Sequence, residues 1–162
     1  MTMLEQFSDR SKMVIFLARK DAGRRGAAAL QTGDLLEAII NEDQGKLATR
    51  FVGHSIQSGP IRAPEPFFSA EIAAKALLGL HNILPQQEPI ADSVDMAMSP
   101  SLQQLLSAAT TLAKELQHTQ VQPLHLVAAM MAEEESSEPT TILREAGISK
   151  EAVIQALRSQ AA

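Results

Sequence analysis

The stretch Met98-Ser99-Pro100-Ser101-Leu102-Gln103-Gln104-Leu105-Leu106-Ser107-Ala108-Ala109-Thr110-Thr111-Leu112-Ala113-Lys114-Glu115-Leu116 decides how the rest of the chain is read. Leu102, Leu105, Leu106, Ala109, Leu112, Ala113 and Leu116 return at steps of three and four, the spacing that places them on one face of an α-helix. Ser99 stands where a helix cap is wanted, and Pro100 falls at the first helical position, where its missing N–H costs nothing. Moving the frame back by 91 residues lays a second copy of this pattern over the amino-terminal half. Phe7 falls on Met98, Ser8 on Ser99, Val14 on Leu105, Ile15 on Leu106, Ala18 on Ala109 and Ala22 on Ala113. The register continues without a gap, with Leu35 on Leu126, Leu36 on Val127, Ile39 on Met130 and Ile40 on Met131. Caps, apolar positions and the distance between the two helices all coincide, which periodicity inside one helix does not produce.

Outward from these paired helices the chain reads as helix throughout. The first helix covers Asp9 to Arg25 and stops near Gly26; the second follows Thr32 as its cap and ends around Asn41. Short helices are expected over Lys46 to Val52 and, after the Ser69 cap, over Ala70 to Leu80. Ser58-Gly59-Pro60-Ile61-Arg62-Ala63-Pro64-Glu65-Pro66 cannot continue a helix, and Pro85 to Ala97 reads as the connection between the halves. In the second half Pro123 opens a helix through Met131, the acidic run Glu133-Glu134-Glu135 closes it, and Thr141 to Ala146 and Ser149 to Ser159 are helical. The domain plan is thus a first repeat over 1–84, a linker over 85–97 and a second repeat over 98–162. A unit of this size buries little apolar surface alone, so the copies are expected to pack about a pseudo-two-fold axis into one all-α domain.

Composition supports this reading and removes several function classes. Among 162 residues 45% are apolar but only 3% aromatic, with no Trp or Tyr, so the core is filled by Leu, Ile, Val, Ala and Met, a palette that favours helices. The absence of cysteine excludes disulfides, thiolate metal sites and a Cys nucleophile, and fits a reducing cytoplasm. A formal charge of -5 offers no electrostatic attraction to nucleic acid. Arg19, Lys20, Arg24 and Arg25 read as favourable charge at a helix carboxyl end. Met1 to Gln6 leads into amphipathic sequence, so neither a signal peptide nor a membrane span is expected.

No catalytic constellation is legible. His54, His81, His118 and His125 lack metal-ligand spacing, so no metal site and no cofactor are expected. Gly-x-Ser-x-Gly, glycine-rich dinucleotide and phosphate-loop motifs are absent, and ATP hydrolysis by a phosphate loop is excluded. Glu42-Asp43 and Glu133 to Glu135 read as solvated acids at helix ends. Met96, Met98, Met130 and Met131 read as core filling, with a pliable binding surface as the alternative. Phe67 and Phe68, two of only five aromatics, either staple a loop to the core or form an exposed anchor.

The order and spacing of Phe7-Ser8-Asp9-Arg10-Ser11, Thr32-Gly33-Asp34-Leu35-Leu36, Met98-Ser99-Pro100, Leu105-Leu106, His118, His125-Leu126, Met130-Met131 and Ile142-Leu143-Arg144-Glu145-Ala146-Gly147-Ile148-Ser149 resemble the Clp amino-terminal domain. That domain is a double four-helix repeat that precedes the ATPase modules of Clp-type unfoldases. The resemblance covers nearly the whole chain, and implies a double repeat that is either free-standing or part of a longer protein. It also implies a non-catalytic module that docks an adaptor, a substrate or the unfoldase itself, with a free-standing scaffold or homodimer serving an unrelated partner as the alternative. Some members hold phosphorylated arginine through an acid in a Thr-Glu-His stretch. The matching positions here are Gly33 and Leu124, so those acids are absent, while Asp34 and His125 occupy the family's histidine position. The residues carried forward as partner-binding candidates are Ser8, Asp34, Phe67, Phe68, Ser99 and His125. Of these, Ser8 and Ser99 also read as simple helix caps.

Overall fold

In the computed structural model, residues 6–45, 67–84, 87–91, 96–132 and 138–159 are described, and these contain seven α-helices. They are α1 (Asp9–Arg24), α2 (Thr32–Asp43), α3 (Ala70–Ile83), α4 (Pro100–Glu115), α5 (Pro123–Met131), α6 (Glu138–Ala146) and α7 (Lys150–Ser159). The fold is all-α. The short helix expected over Lys46 to Val52, the segment Ser58 to Pro66 and the acidic run from Glu133 lie outside the described residues.

Serine oxygens start four of the helices by accepting an N–H three residues on, which satisfies one of the donors that a helix start leaves unpaired. Ser8 accepts from Ser11, Ser69 from Ile72, Ser99 from Leu102 and Ser149 from Ala152, each at 3.1 Å. Helix α2 departs from expectation: Thr32 is its first residue and Gln31 the flanking one, because the Asp34 carboxylate takes the Gln31 N–H at 2.9 Å. It also runs past Asn41 to Asp43. Helix α3 extends beyond Leu80 to Ile83 and ends at Leu84, which is extended, as suits a residue before proline. Helix α6 begins at Glu138 rather than Thr141, with Pro139 in its first turn, where a missing N–H does no harm.

The pseudo-two-fold relation is visible bond by bond. Before α1, Ser8 N–H donates to the Val121 carbonyl at 3.0 Å and Val121 N–H to the Gln6 carbonyl at 2.8 Å. Before α4, Ser99 N–H donates to the Leu30 carbonyl and Leu30 N–H to the Ala97 carbonyl, both at 2.9 Å. Each pair is the other displaced by 91 residues, so each repeat lends its pre-helix segment to the other's inter-helix connection. The Ser11 hydroxyl reinforces the first bridge by donating to the Val121 carbonyl at 2.7 Å. The carboxyl ends of α1 and α4 match as well: Ala27 N–H reaches back to the Ala22 carbonyl, and His118 N–H to the Ala113 carbonyl, with Gly26 and Gln117 at φ 71° and 61° in the left-handed turn.

Around the bridges the repeats share one core. Val14, Ala18, Leu36 and Ile40 of the first are buried with Leu106, Leu126, Val127 and Met130 of the second, and Met131 is buried too, so these methionines fill core. Helix α3 crosses to pack on α6, and Gly79 is what allows the approach: a Cβ there would stand 3.3 Å from two carbons of Ile142.

The two bridge positions differ in burial, with Phe7 fully buried and its counterpart Met98 only half-buried. Urea unfolding of Phe7→Ala is expected to show a loss of about 3–5 kcal/mol, the range for truncating a buried aromatic. Met98→Ala should lose clearly less, and equal losses would contradict this account of the bridges.

Candidate partner-binding groove

Helices α2 and α5, one from each repeat, run beside the Phe67-Phe68 segment and leave between them a small cavity of about 60 Å³. Its apolar lining is Ile39, Phe67, Phe68, Pro123, Leu124 and Val127, and its polar lining is Arg10, Glu42, Asp43 and Gln122. The acids are fully engaged within the chain. Arg10 grips Glu42 with two hydrogen bonds, Nε to Oε2 at 2.9 Å and Nη2 to Oε1 at 2.7 Å. The Asp43 carboxylate accepts the N–H of Phe67 at 2.8 Å and of Phe68 at 2.9 Å. Gln44 closes the turn by donating to the Phe68 carbonyl at 2.8 Å. The Glu42-Asp43 pair, expected as solvated surface, is therefore buried, because it has these cationic and backbone donors to satisfy it. The two phenyl rings meet edge to face at 5.1 Å; Phe68 is buried, whereas Phe67 stays partly open on the groove.

At the start of the second helix of each repeat one corner is built twice with different chemistry. In the first repeat Asp34 takes the Gln31 N–H on one oxygen and pairs with Arg25 through the other. Arg25 also binds Glu37 at 2.8 Å, and Glu37 reaches His81 at 3.0 Å. Burial raises the Asp34 carboxyl above its ordinary range, against the opposing pull of the Gln31 N–H and of Arg25. In the second repeat His125 stands at the Asp34 position. Its Nδ1 accepts the Gln122 N–H at 2.8 Å, so that nitrogen carries no proton, and its Nε2 lies 2.8 Å from Nδ1 of His118. A neutral His125 thus donates from Nε2 to His118. Burial, with His118 alongside, lowers its imidazole to about 4.

The sequence candidates separate accordingly. Phe67 and Phe68 come together at the groove; Ser8, Ser99, Asp34 and His125 are buried, with their polar atoms engaged inside the chain. Arg25, read as dipole-matching surface charge, is buried in the ion network. Sequence reasoning missed Arg10, Glu42, Asp43 and Leu124 as groove residues. One cue existed for Arg10: a cation in the first turn of a helix opposes the helix dipole, and so calls for a nearby carboxylate. Among the described residues no group of three or more His, Asp or Glu is placed to hold a metal ion, and no helix is long and apolar enough to cross a membrane.

Residues 97–162 match the family model of the Clp repeat N-terminal domain. This region of the chain is similar to a Clp repeat. Solved structures extend the likeness to the whole fold. The N-terminal domain of the caseinolytic-protease-associated chaperone ClpD from Arabidopsis thaliana is 18% identical with a TM-score of 0.65, covering 98% of each chain. The Hsp104 N-terminal domain from Candida albicans is 20% identical with a TM-score of 0.65, over 96% of this chain and 94% of that one. A chain from a malarial protein secretion system is 17% identical with a TM-score of 0.70, over 94% and 92%. At such identities the likeness fixes the Clp-repeat architecture and no more. No curated protein matches the chain by sequence.

Buried His125 makes stability depend on acid. Because the folded-state pKa of His125 lies below the ordinary 6.5, the unfolded chain takes up its proton first. The contribution is complete above pH 6.5 and is lost as the pH falls towards about 4, amounting to at most about 3 kcal/mol. His125→Asn keeps an acceptor for the Gln122 N–H but cannot titrate. Chemical denaturation from pH 7.5 to 4 should show the wild-type protein losing this increment relative to the variant, and parallel curves would refute the assignment.

Proposed function

We propose that this chain is a non-catalytic protein-interaction module of a chaperone or proteolysis system, which receives an adaptor, a substrate or an unfoldase in the groove between its repeats. The observation that carries the reading is the state of the groove. Its floor is apolar and drawn from both repeats, its acids are already paired, and Phe67 is the aromatic left partly open. A lining without reactive polar groups at its surface suits the side chains of a partner better than chemistry on a substrate. The Clp-repeat architecture supports the same direction, since the chains it resembles include N-terminal domains of chaperones.

Within this proposal the repeats divide at 1–84 and 98–162 and work as one unit, and the protein acts in the cytoplasm, in keeping with its lack of cysteine. Phe67 makes the contact. Phe68, Ser8, Ser99, Asp34 and His125 act indirectly, by holding the segments that shape the groove. Gly33 and Leu124 supply no acid for a phosphorylated guanidinium, so the ligand is an apolar stretch of protein.

Affinity capture from native lysate with the tagged protein, read by mass spectrometry, tests this against Phe67→Ala. Phe68 is left intact because its truncation would open the core. Recovery of a Clp-type unfoldase or adaptor, reduced at least tenfold in the variant, is the expected result. Recovery of unrelated proteins, or of further copies of this chain, would favour a scaffold or homodimer that kept the fold for another use.

A further inference from the structure

Between the repeats, Gln87 to Ala91 lies across the carboxyl end of α1 and is bonded to it. Gln87 N–H donates to the Arg25 carbonyl and Ile90 N–H to the Gly23 carbonyl, both at 2.7 Å, and Arg19 Nη2 donates to the Ala91 carbonyl at 3.1 Å. Pro89 stands between the two donors and has no N–H to lose. The seat is made of glycine. A Cβ on Gly26 would fall 2.2 Å from the Glu88 oxygen, and one on Gly23 would fall 2.9 Å from the Ile90 oxygen.

The second repeat shows that the turn alone does not demand this. At the position of Gly26 it carries Gln117, in the same left-handed conformation at φ 61°, and at the position of Gly23 it carries Lys114. The left-handed corner of this fold therefore accepts a side chain; the crossing segment is what excludes one from Gly26. The residue under that segment is also special to the first repeat. Arg25, whose carbonyl receives Gln87, is clamped through its guanidinium by Asp34 and Glu37, and its counterpart in the second repeat is Leu116.

We propose that Gln87–Ala91 is a latch seated by the Arg25 clamp, so that docking of the inter-repeat connection on α1 and closure of the Arg25–Asp34–Glu37 network are one cooperative event. The clamp fixes the backbone at Arg25 and Gly23 in the orientation that receives the two N–H groups. The docked segment in turn holds the Arg25 main chain in place, and with it the guanidinium that Asp34 and Glu37 grip. Opening either side releases the other, and breaks the Gln87, Ile90 and Ala91 contacts with the end of α1 together.

Amide hydrogen exchange of the intact chain, resolved at Gln87 and Ile90, reads the latch, and the exchange of the Arg25 guanidinium protons reads the clamp. Three substitutions address the parts separately: Gly26→Gln fills the seat with the residue the second repeat uses, Ile90→Pro removes one donor, and Glu37→Gln weakens the clamp. Amides of Leu36 and Leu106 report whether the core stays folded. The expected result for Glu37→Gln is at least tenfold faster exchange at Gln87 with the core amides unchanged. Gly26→Gln should do the same. Ile90→Pro, which lies outside the core and cannot unfold it directly, should accelerate the Arg25 guanidinium at least tenfold, and this arm decides the coupling even if Glu37→Gln fails to fold. Wild-type protection at Gln87 in Gly26→Gln would overturn the seat. An unchanged Arg25 guanidinium in Ile90→Pro would overturn the coupling.

Discussion

Two short backbone bridges hold this structure in its form, and each joins a segment of one repeat to a segment of the other. Gln6 to Ser8 bonds to Val121, and Ala97 to Ser99 bonds to Leu30. Buried N–H and C=O groups must find partners, and in a helical protein the connections between helices are where they lack them. Here each repeat satisfies the connection of the other. The helices then follow: α1 and α4 leave their bridges through serine caps, and α2 and α5 begin just after the other bridge residue. The groove between α2 and α5 is a product of that reciprocity.

On this shared frame the corners at the starts of α2 and α5 have diverged. The residue three into the second helix of each repeat must accept the N–H of a preceding glutamine, and both Asp34 and His125 do so. What each does with its remaining atom differs. Asp34 enters an ion network with Arg25 and Glu37, while His125 makes a neutral contact with His118. Burying charge demands several partners in good geometry, and the first repeat has recruited them from α1, α2 and α3. The second repeat avoids that desolvation cost and is sensitive to acid instead.

Much of this was legible in the residues. The step of 91 between Ser8 and Ser99, and between Leu35 and Leu126, carried the repeat, because caps and apolar spacing are local properties that survive low identity. Helix ends were less legible where a side chain elsewhere moves them, as when the Asp34 carboxylate makes Gln31 the flanking residue of α2. The groove was only half legible. Phe67 and Phe68 stood out by rarity, but Glu42 and Asp43 looked like surface because their partners, Arg10 and the Phe67 and Phe68 amides, lie up to 32 residues away. Arg25 misled for the same reason: a cation at a helix end satisfies a local rule so well that its burial is not suspected.

The reciprocity of the bridges also bears on how the chain reaches its fold. Small helical proteins assemble quickly when their contacts are local, since little loop entropy is spent before contacts form. This chain is helical, yet the bonds that define it close over long distances: Ser11 meets Val121 across 110 residues. Leu30 and Val121 find their backbone partners only in the other repeat, so each inter-helix connection is completed only when both halves are present. Its folding speed is therefore set by the topology of an interlocked pair, closer to that of a sheet protein than its secondary structure alone would suggest.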